Sequence, residues 1–421
     1  MKYWRGYLVA AILGFFTWSL MEFAKSNVEL VDMFYPYTTR MIQNTLAQWS
    51  GTVDVLLWQV LLVLLVVLFM ATLILMVMFR WNPIQWAGWI LAVASVISLL
   101  HTGVYGLNDY AGPMANDIKL NVSEYTIAEL RQAAEFYLEQ ANTLSGTVAR
   151  DSEGNVKPME LEEMTQQATA GFQQLTYEQH IPIFYGTTIA TDDYWGNWKA
   201  LPIKTLGWED YFTSIGVTSI YMPITGEIAL NTRVPAVAQP FILCTDMAKR
   251  LCIAVEGDAQ FAAYMACKAN EDKLFQYSAA MMAYRSCREA LRSLPGNTAA
   301  AALEAVESKE SRSLRNDLTA YSQFFIENAD PENLQRLEDL KIFMEDADYQ
   351  FRDLFGVEPD NRNPAEFHDL LVNWHIQYVI LPTKEPEEEE FRFDPFFEDY
   401  INGLVDKEGN PIVPTEEIPE E

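Results

Sequence analysis

Positive charge is what this chain most lacks beyond its first quarter. Residues 1–110 carry five basic side chains (Lys2, Arg5, Lys25, Arg40, Arg80) and five acidic ones (Glu22, Glu29, Asp32, Asp54, Asp109), which cancel. The formal net charge of −29 therefore belongs to residues 111–421. A domain that acidic repels phosphates, so no nucleic-acid partner is expected, whereas cations or basic partners suit it. Cysteine is also scarce. Cys244, Cys252, Cys267 and Cys287 include no C-x-x-C pair and do not form the pattern of a small disulfide scaffold. Their even number allows disulfides, but Cys244 and Cys267 lie among apolar neighbours on predicted helices, where free buried thiols are expected. A phosphate-binding glycine loop, a G-x-S-x-G elbow and internal repeats are all missing.

Long apolar runs, by contrast, are present. Val55 to Phe79 contains no charged residue and exceeds the roughly 20 residues that cross a bilayer. A second run from Ile84 to Tyr105 begins near Trp86 and Trp89, after an Arg80-Trp-Asn-Pro83 turn. The shorter Tyr7–Met21 segment follows Lys2 and Arg5 and reads as an uncleaved anchor or a signal-peptide core. No small-x-small cleavage site clearly follows it, which favours the anchor. The expected layout is a membrane domain over 1–110 with spans at about 6–24, 55–79 and 84–105, an extracellular domain over 111–382, and an acidic tail over 383–421. Seven of the 11 tryptophans fall in the first 110 residues, as suits membrane interfaces. Lys2, Arg5 and Arg80 place the N-terminus and the 80–83 turn in the cytoplasm, with lipid as a partner of this multi-pass cell-membrane protein.

In the soluble part, Ile127, Leu130, Ala134, Tyr137, Leu138 and Ala141 have helical spacing, with Thr126 or Ser123 as the N-cap. Arg150–Asn155 is a polar turn whose residues do not alternate as calcium ligands would. Ile181–Tyr185, Ala200–Lys204 and Thr218–Met222 read as short strands. Helical periodicity returns over 241–269, 275–294 and 316–354. The order predicts a mainly helical α+β domain with a small sheet. His180 has no motif around it. His368 and His375, seven apart, lack a matching third ligand and read as core or surface residues. From Thr383 the chain is acidic and reads as a solvated tail, with Phe391, Phe393, Phe396 and Phe397 able to dock.

The most informative stretch runs from Ile228 to Phe261. Tyr105-Gly-Leu-Asn108, Ile220 to Asn231, Pro240-Phe241 and Glu256-Gly-Asp-Ala-Gln-Phe261 together resemble a bacterial family of unknown function. Its members are polytopic membrane proteins with an extracellular zincin-like, gluzincin-type domain. The likeness covers about residues 1–300. In it, Thr245 and Lys249 stand where the H-E-x-x-H histidines would fall, and Asp246 where the glutamate would. Glu256 keeps the third-ligand carboxylate, and Asp258 follows in the next block. The resemblance implies zinc as the family cofactor, yet threonine and an ammonium cannot replace imidazoles, so no bound cofactor or metal and no catalytic residues are expected here.

Thr245, Lys249, Cys252 and Glu256 would share one face of a continuous helix, and a break at Cys252 need not separate Lys249 from Glu256. The lysine is expected in the cation position as a buried pair with Glu256, joined by Asp246 or Asp258, or as a solvent-facing residue. Tyr221, Glu227 and Asn231 are candidates for a cleft or peptide-binding edge, or ordinary strand residues. The resulting expectation is a membrane-anchored pseudo-metallopeptidase that binds, scaffolds or regulates at the cell envelope, with an extracellular peptide or protein partner. The alternatives are a metallohydrolase with non-standard ligands, such as Asp246 and Glu256, and a structural membrane protein retaining the fold.

Overall fold

The computed structural model describes residues 4–177, 200–355 and 364–381. The strand expected at Ile181–Tyr185, His180 and the acidic tail lie outside these residues.

Three described helices are long and apolar enough to cross a membrane: α1 (Arg5–Ser26), α3 (Leu57–Met78) and α4 (Pro83–Val104). α3 is apolar on every side, with a mean hydropathy of 3.3 over its best window, and buries none of that window in protein. Such a helix satisfies its own backbone and suits lipid as solvent. α4 starts sharply because Pro83 sits at its first position and Asn82 caps it. The Asn82 Oδ1 accepts the Ile84 N–H at 2.9 Å. α1 packs along α4. A Cβ on Gly88 would lie 2.7 Å from the Tyr7 ring, so the glycine permits this close approach.

Between α1 and α3 lies α2 (Val28–Ser50), which hydropathy does not reveal. Its buried residues include Thr39, Arg40 and Gln43, while Leu30, Met33, Phe34 and Tyr37 are exposed. The helix therefore turns its polar face inward and an apolar i, i+3, i+4, i+7 stripe outward. A filter for apolar runs misses it, because charge and Pro36 interrupt the sequence.

A short 3-10 turn (Gly106–Tyr110) and α5 (Met114–Asp117) lead into the helical domain. Its centre is α6 (Ile127–Ser145), α7 (Leu161–Tyr177), α9 (Gln239–Arg250), α10 (Glu256–Ala269) and α11 (Lys273–Ser293), with α8 (Glu209–Ser214) beside the sheet. Thr126 and Glu129 close a capping box at the start of α6. Tyr137, Phe261, Tyr264, Phe275 and Tyr277 are fully buried among these helices. α12 (Asn297–Glu307), α13 (Arg312–Asn328), α14 (Pro331–Phe355) and α15 (Phe367–His375) follow, so the expected 316–354 helix is two, divided before Pro331. The Arg150–Asn155 turn is anchored from within. Arg150 forms two hydrogen bonds, of 2.9 and 2.7 Å, to Asp317, which also accepts the Tyr277 hydroxyl at 2.5 Å. His375 is a core residue, its ring 4.8 Å from that of Phe136. All four cysteines are free and buried.

The sheet has three strands, β1 (Lys204–Thr205), β2 (Ser219–Met222) and β3 (Glu227–Leu230), in the order β1-β3-β2. β1 is parallel and β2 antiparallel to β3, with Ser219 opposite Leu230 and Met222 opposite Glu227. The hairpin turn needs Gly226, whose φ is +67°. A Cβ there would also lie 2.6 Å from the Ala47 nitrogen, because the turn sits against α2.

Candidate functional site

α9 begins where Gln239 donates to the Thr232 and Val234 carbonyls, at 3.1 and 2.7 Å. Pro240 follows in the first turn, where a missing N–H costs nothing. Nearly every residue of α9 is buried, including Thr245 and Asp246. At the far end the expected continuous helix breaks. Cys252 adopts a left-handed φ of +68°, its N–H donates to the Lys249 carbonyl, and the Ile253 N–H donates to the Ala248 carbonyl. This is a Schellman stop with cysteine where glycine is usual. Side chains of α2 brace it. Arg40 Nε donates to the Leu251 carbonyl at 2.6 Å, and the Thr39 hydroxyl lies 3.2 Å from Cys252 Sγ. Cys252 therefore leaves the face on which the helical spacing places it, turning toward α2. Burial pushes its thiol up to about 11.

The break brings α10 back against α9. Lys249 Nζ lies 2.8 Å from Glu256 and 3.7 Å from Asp246. The pair forms, but not as a buried one: the Glu256 side chain is 59 % exposed and that of Lys249 25 %. Asp246 is the buried partner, at 4 %. Burial raises its carboxyl to about 6 against the pull of Lys249. Its Oδ2 has no hydrogen-bond partner. Burial disfavours the Lys249 ammonium, but the charges of Asp246 and Glu256 outweigh this and raise it. Beneath them, burial brings the Arg250 guanidinium down to about 10, and its Nη1 is also unpartnered. The span-exit segment reaches the same place, since the Tyr105 hydroxyl donates to the Lys249 carbonyl at 3.0 Å. Asn108 lies 3.3 Å from the Thr39 hydroxyl.

These donors do not match a zinc site of the zincin kind. The Thr245 hydroxyl donates to the Phe241 carbonyl at 2.9 Å, and an ammonium occupies the space between the two carboxylates. Asp258 is elsewhere. It is buried, accepts the Met114 N–H at 3.0 Å, and is raised by burial despite that bond.

The proposed peptide edge separates into different roles. β3 is the middle strand: β2 pairs along its whole length and β1 at Ala229 and Leu230, while Glu227 is opposite Met222 of β2. The Glu227 side chain caps α3: its Oε1 accepts the Leu57 N–H at 2.9 Å and its Oε2 the Trp58 N–H at 3.0 Å. Lys204, which the sequence does not single out, completes this cluster. Its Nζ is 2.6 Å from Glu227 and donates to the Ser50 and Val55 carbonyls at 2.9 and 2.7 Å. Asn231 is fully buried and donates to Thr213 and the Val217 carbonyl. Tyr221 lies on the outer strand β2, with its hydroxyl 2.7 Å from Gln43 and its ring 5.4 Å from that of Tyr105.

Residues 31–339 match the family model described as "Protein of unknown function (DUF3810)". The chain belongs to this family. The match takes in most of α2, the apolar helices α3 and α4, the sheet, and helices α9 and α10, so it covers membrane-type helices and the helical domain together. No curated protein and no solved structure matches the chain.

Proposed function

We propose that this DUF3810 protein is a membrane-anchored, metallopeptidase-like protein that acts by binding or scaffolding at the cell envelope, without zinc proteolysis. The observation that carries the reading is the Lys249 ammonium between Asp246 and Glu256. A zincin-like domain needs those carboxylates facing a metal with two imidazoles. Here a fixed cation supplies the charge compensation instead. The outer strand β2, bearing Tyr221, is the place where an extended peptide would add to the sheet.

The domain and the α2 helix lie outside the cell in this reading, with the N-terminus and the Arg80 turn inside. Lys2, Arg5 and Arg80 support that orientation. The outward apolar stripe of α2 suits the headgroup boundary of the outer leaflet.

The test is metal content of the full-length protein in detergent, by elemental mass spectrometry, before and after zinc incubation and dialysis. We expect well under one zinc per chain. One tightly held zinc would overturn the reading and favour a metallohydrolase with non-standard ligands.

A further inference from the structure

Next to the Cys252 turn, α2, residues 108–117 and residues 252–258 line a partly open pocket of about 240 Å³. That is below the usual range for drug-sized ligands, which limits it to a small molecule or a single headgroup. Arg40 lines it and is only 7 % exposed. Its Nε is used by the Leu251 carbonyl. Its two terminal nitrogens make no hydrogen bond or ion pair to the described residues and are open to the pocket it lines. A guanidinium this deeply set, with its planar fork facing a pocket, is matched to an anionic group entering there.

Three carboxylates share the same cavity. Asp258 is buried at its floor, with Oδ2 accepting the Met114 N–H. Asp117 is half-buried, and Asp32 sits exposed at the rim, its Oδ1 accepting the Gly112 N–H at 3.0 Å. Tyr37 and Met33 add an exposed apolar wall. An anion alone would meet three carboxylates, and a metal ion alone would meet Arg40. A molecule carrying both charges satisfies both sets.

We propose that this cavity binds a small zwitterion, a primary ammonium and a carboxylate or phosphate a few bonds apart, with the anion on Arg40 and the ammonium among Asp32, Asp117 and Asp258. Two sources share this chemistry: a free amino acid and an ethanolamine-phosphate lipid headgroup. The inference does not rest on the non-catalytic reading, since zinc content reports on Asp246 and Glu256 and zwitterion binding on Arg40.

The test is calorimetric titration of the full-length protein in detergent with L-alanine and with phosphoethanolamine, against ethylamine and inorganic phosphate as single-charge controls. A parallel arm reconstitutes the protein into vesicles of mixed phosphatidylethanolamine and phosphatidylglycerol and reads retained lipid by native mass spectrometry. Binding of L-alanine assigns the free amino acid. Selective retention of phosphatidylethanolamine, with or without phosphoethanolamine binding, assigns the headgroup. In either case Arg40→Lys, which keeps the charge but loses the planar fork, weakens binding about tenfold or more. Because Arg40 also braces the Cys252 turn, Asp117→Asn provides a second variant, expected to weaken binding of the zwitterion and not of phosphate. No zwitterion binding in either arm, equal binding of a single-charge control, or unchanged affinity in folded Arg40→Lys and Asp117→Asn would overturn the proposal.

Discussion

At Asp246, burial competes with a neighbouring cation. The folded carboxyl titrates near 6, above its ordinary 3.8, so ionisation is disfavoured in the folded state. Above pH 6 the ionised group destabilises the fold by up to about 3 kcal/mol, a penalty that shrinks as pH falls and is gone below about pH 4. Asp246→Asn is therefore expected to unfold at a higher temperature than wild type at pH 7.5, with the difference closing by pH 4.5. Thermal unfolding in detergent across that range checks it, and parallel curves for the two proteins would contradict it. Lys249→Met acts in the opposite direction. It removes the charge that holds Asp246 down, so the Asp246 transition moves to higher pH and stability at pH 7.5 falls by about 1–3 kcal/mol. Unchanged stability in Lys249→Met would show that the ammonium has no part in compensating Asp246. The sequence makes Lys249 and Glu256 a plausible pair from their spacing. It does not reveal which carboxylate is buried, because Asp246 acquires that environment from β2, the span exit and α10 together.

Among the elements, legibility follows how local the signal is. α3 and α4 are readable because each is a run of apolar residues whose destination is a property of its own composition. The helical spacing and Thr126 cap of α6 are local in the same sense. α2 is not readable, since its polar face is buried only because Leu251 and the sheet lie against it. The sequence leaves a break at Cys252 and a continuous helix both open for a related reason: the left-handed cysteine is held by Thr39 and Arg40 from far away in sequence. The Lys204–Glu227 cluster is a third such case, joining a strand to helix α3 across 170 residues. Both side chains are almost wholly buried, at 8 % and 1 % exposure. Glu227→Gln or Lys204→Met should each cost about 3–5 kcal/mol, because each strands a buried partner. The double variant Lys204→Met with Glu227→Leu should lose less than the sum of the singles. Denaturant unfolding of the four proteins closes this cycle, and additive losses would show that the two side chains act separately.

For the molecule as a whole, the packing of α2 on the sheet and α9 puts that helix on the same side as the domain, with the 80–83 turn at the opposite ends of α3 and α4. In the proposed orientation, a membrane-impermeant thiol reagent applied to whole cells should label Thr52→Cys and spare Trp81→Cys, as the native cysteines are buried. The reverse pattern would invert the proposed orientation. The apolar runs point to a membrane part and the charge to a separate acidic domain, and three helices long and apolar enough to cross a membrane match the first of these. What they could not convey is that the two parts are stitched together, at Gly226 against α2, at Tyr105 against Lys249 and at Glu227 beneath α3. The last of these has an order in time. A growing chain inserts α3 long before Glu227 has been synthesised, so the first turn of that span enters the bilayer with its end open. It closes only when the strand arrives, which makes completion of the membrane part a late event, waiting on the folding of the domain that follows it.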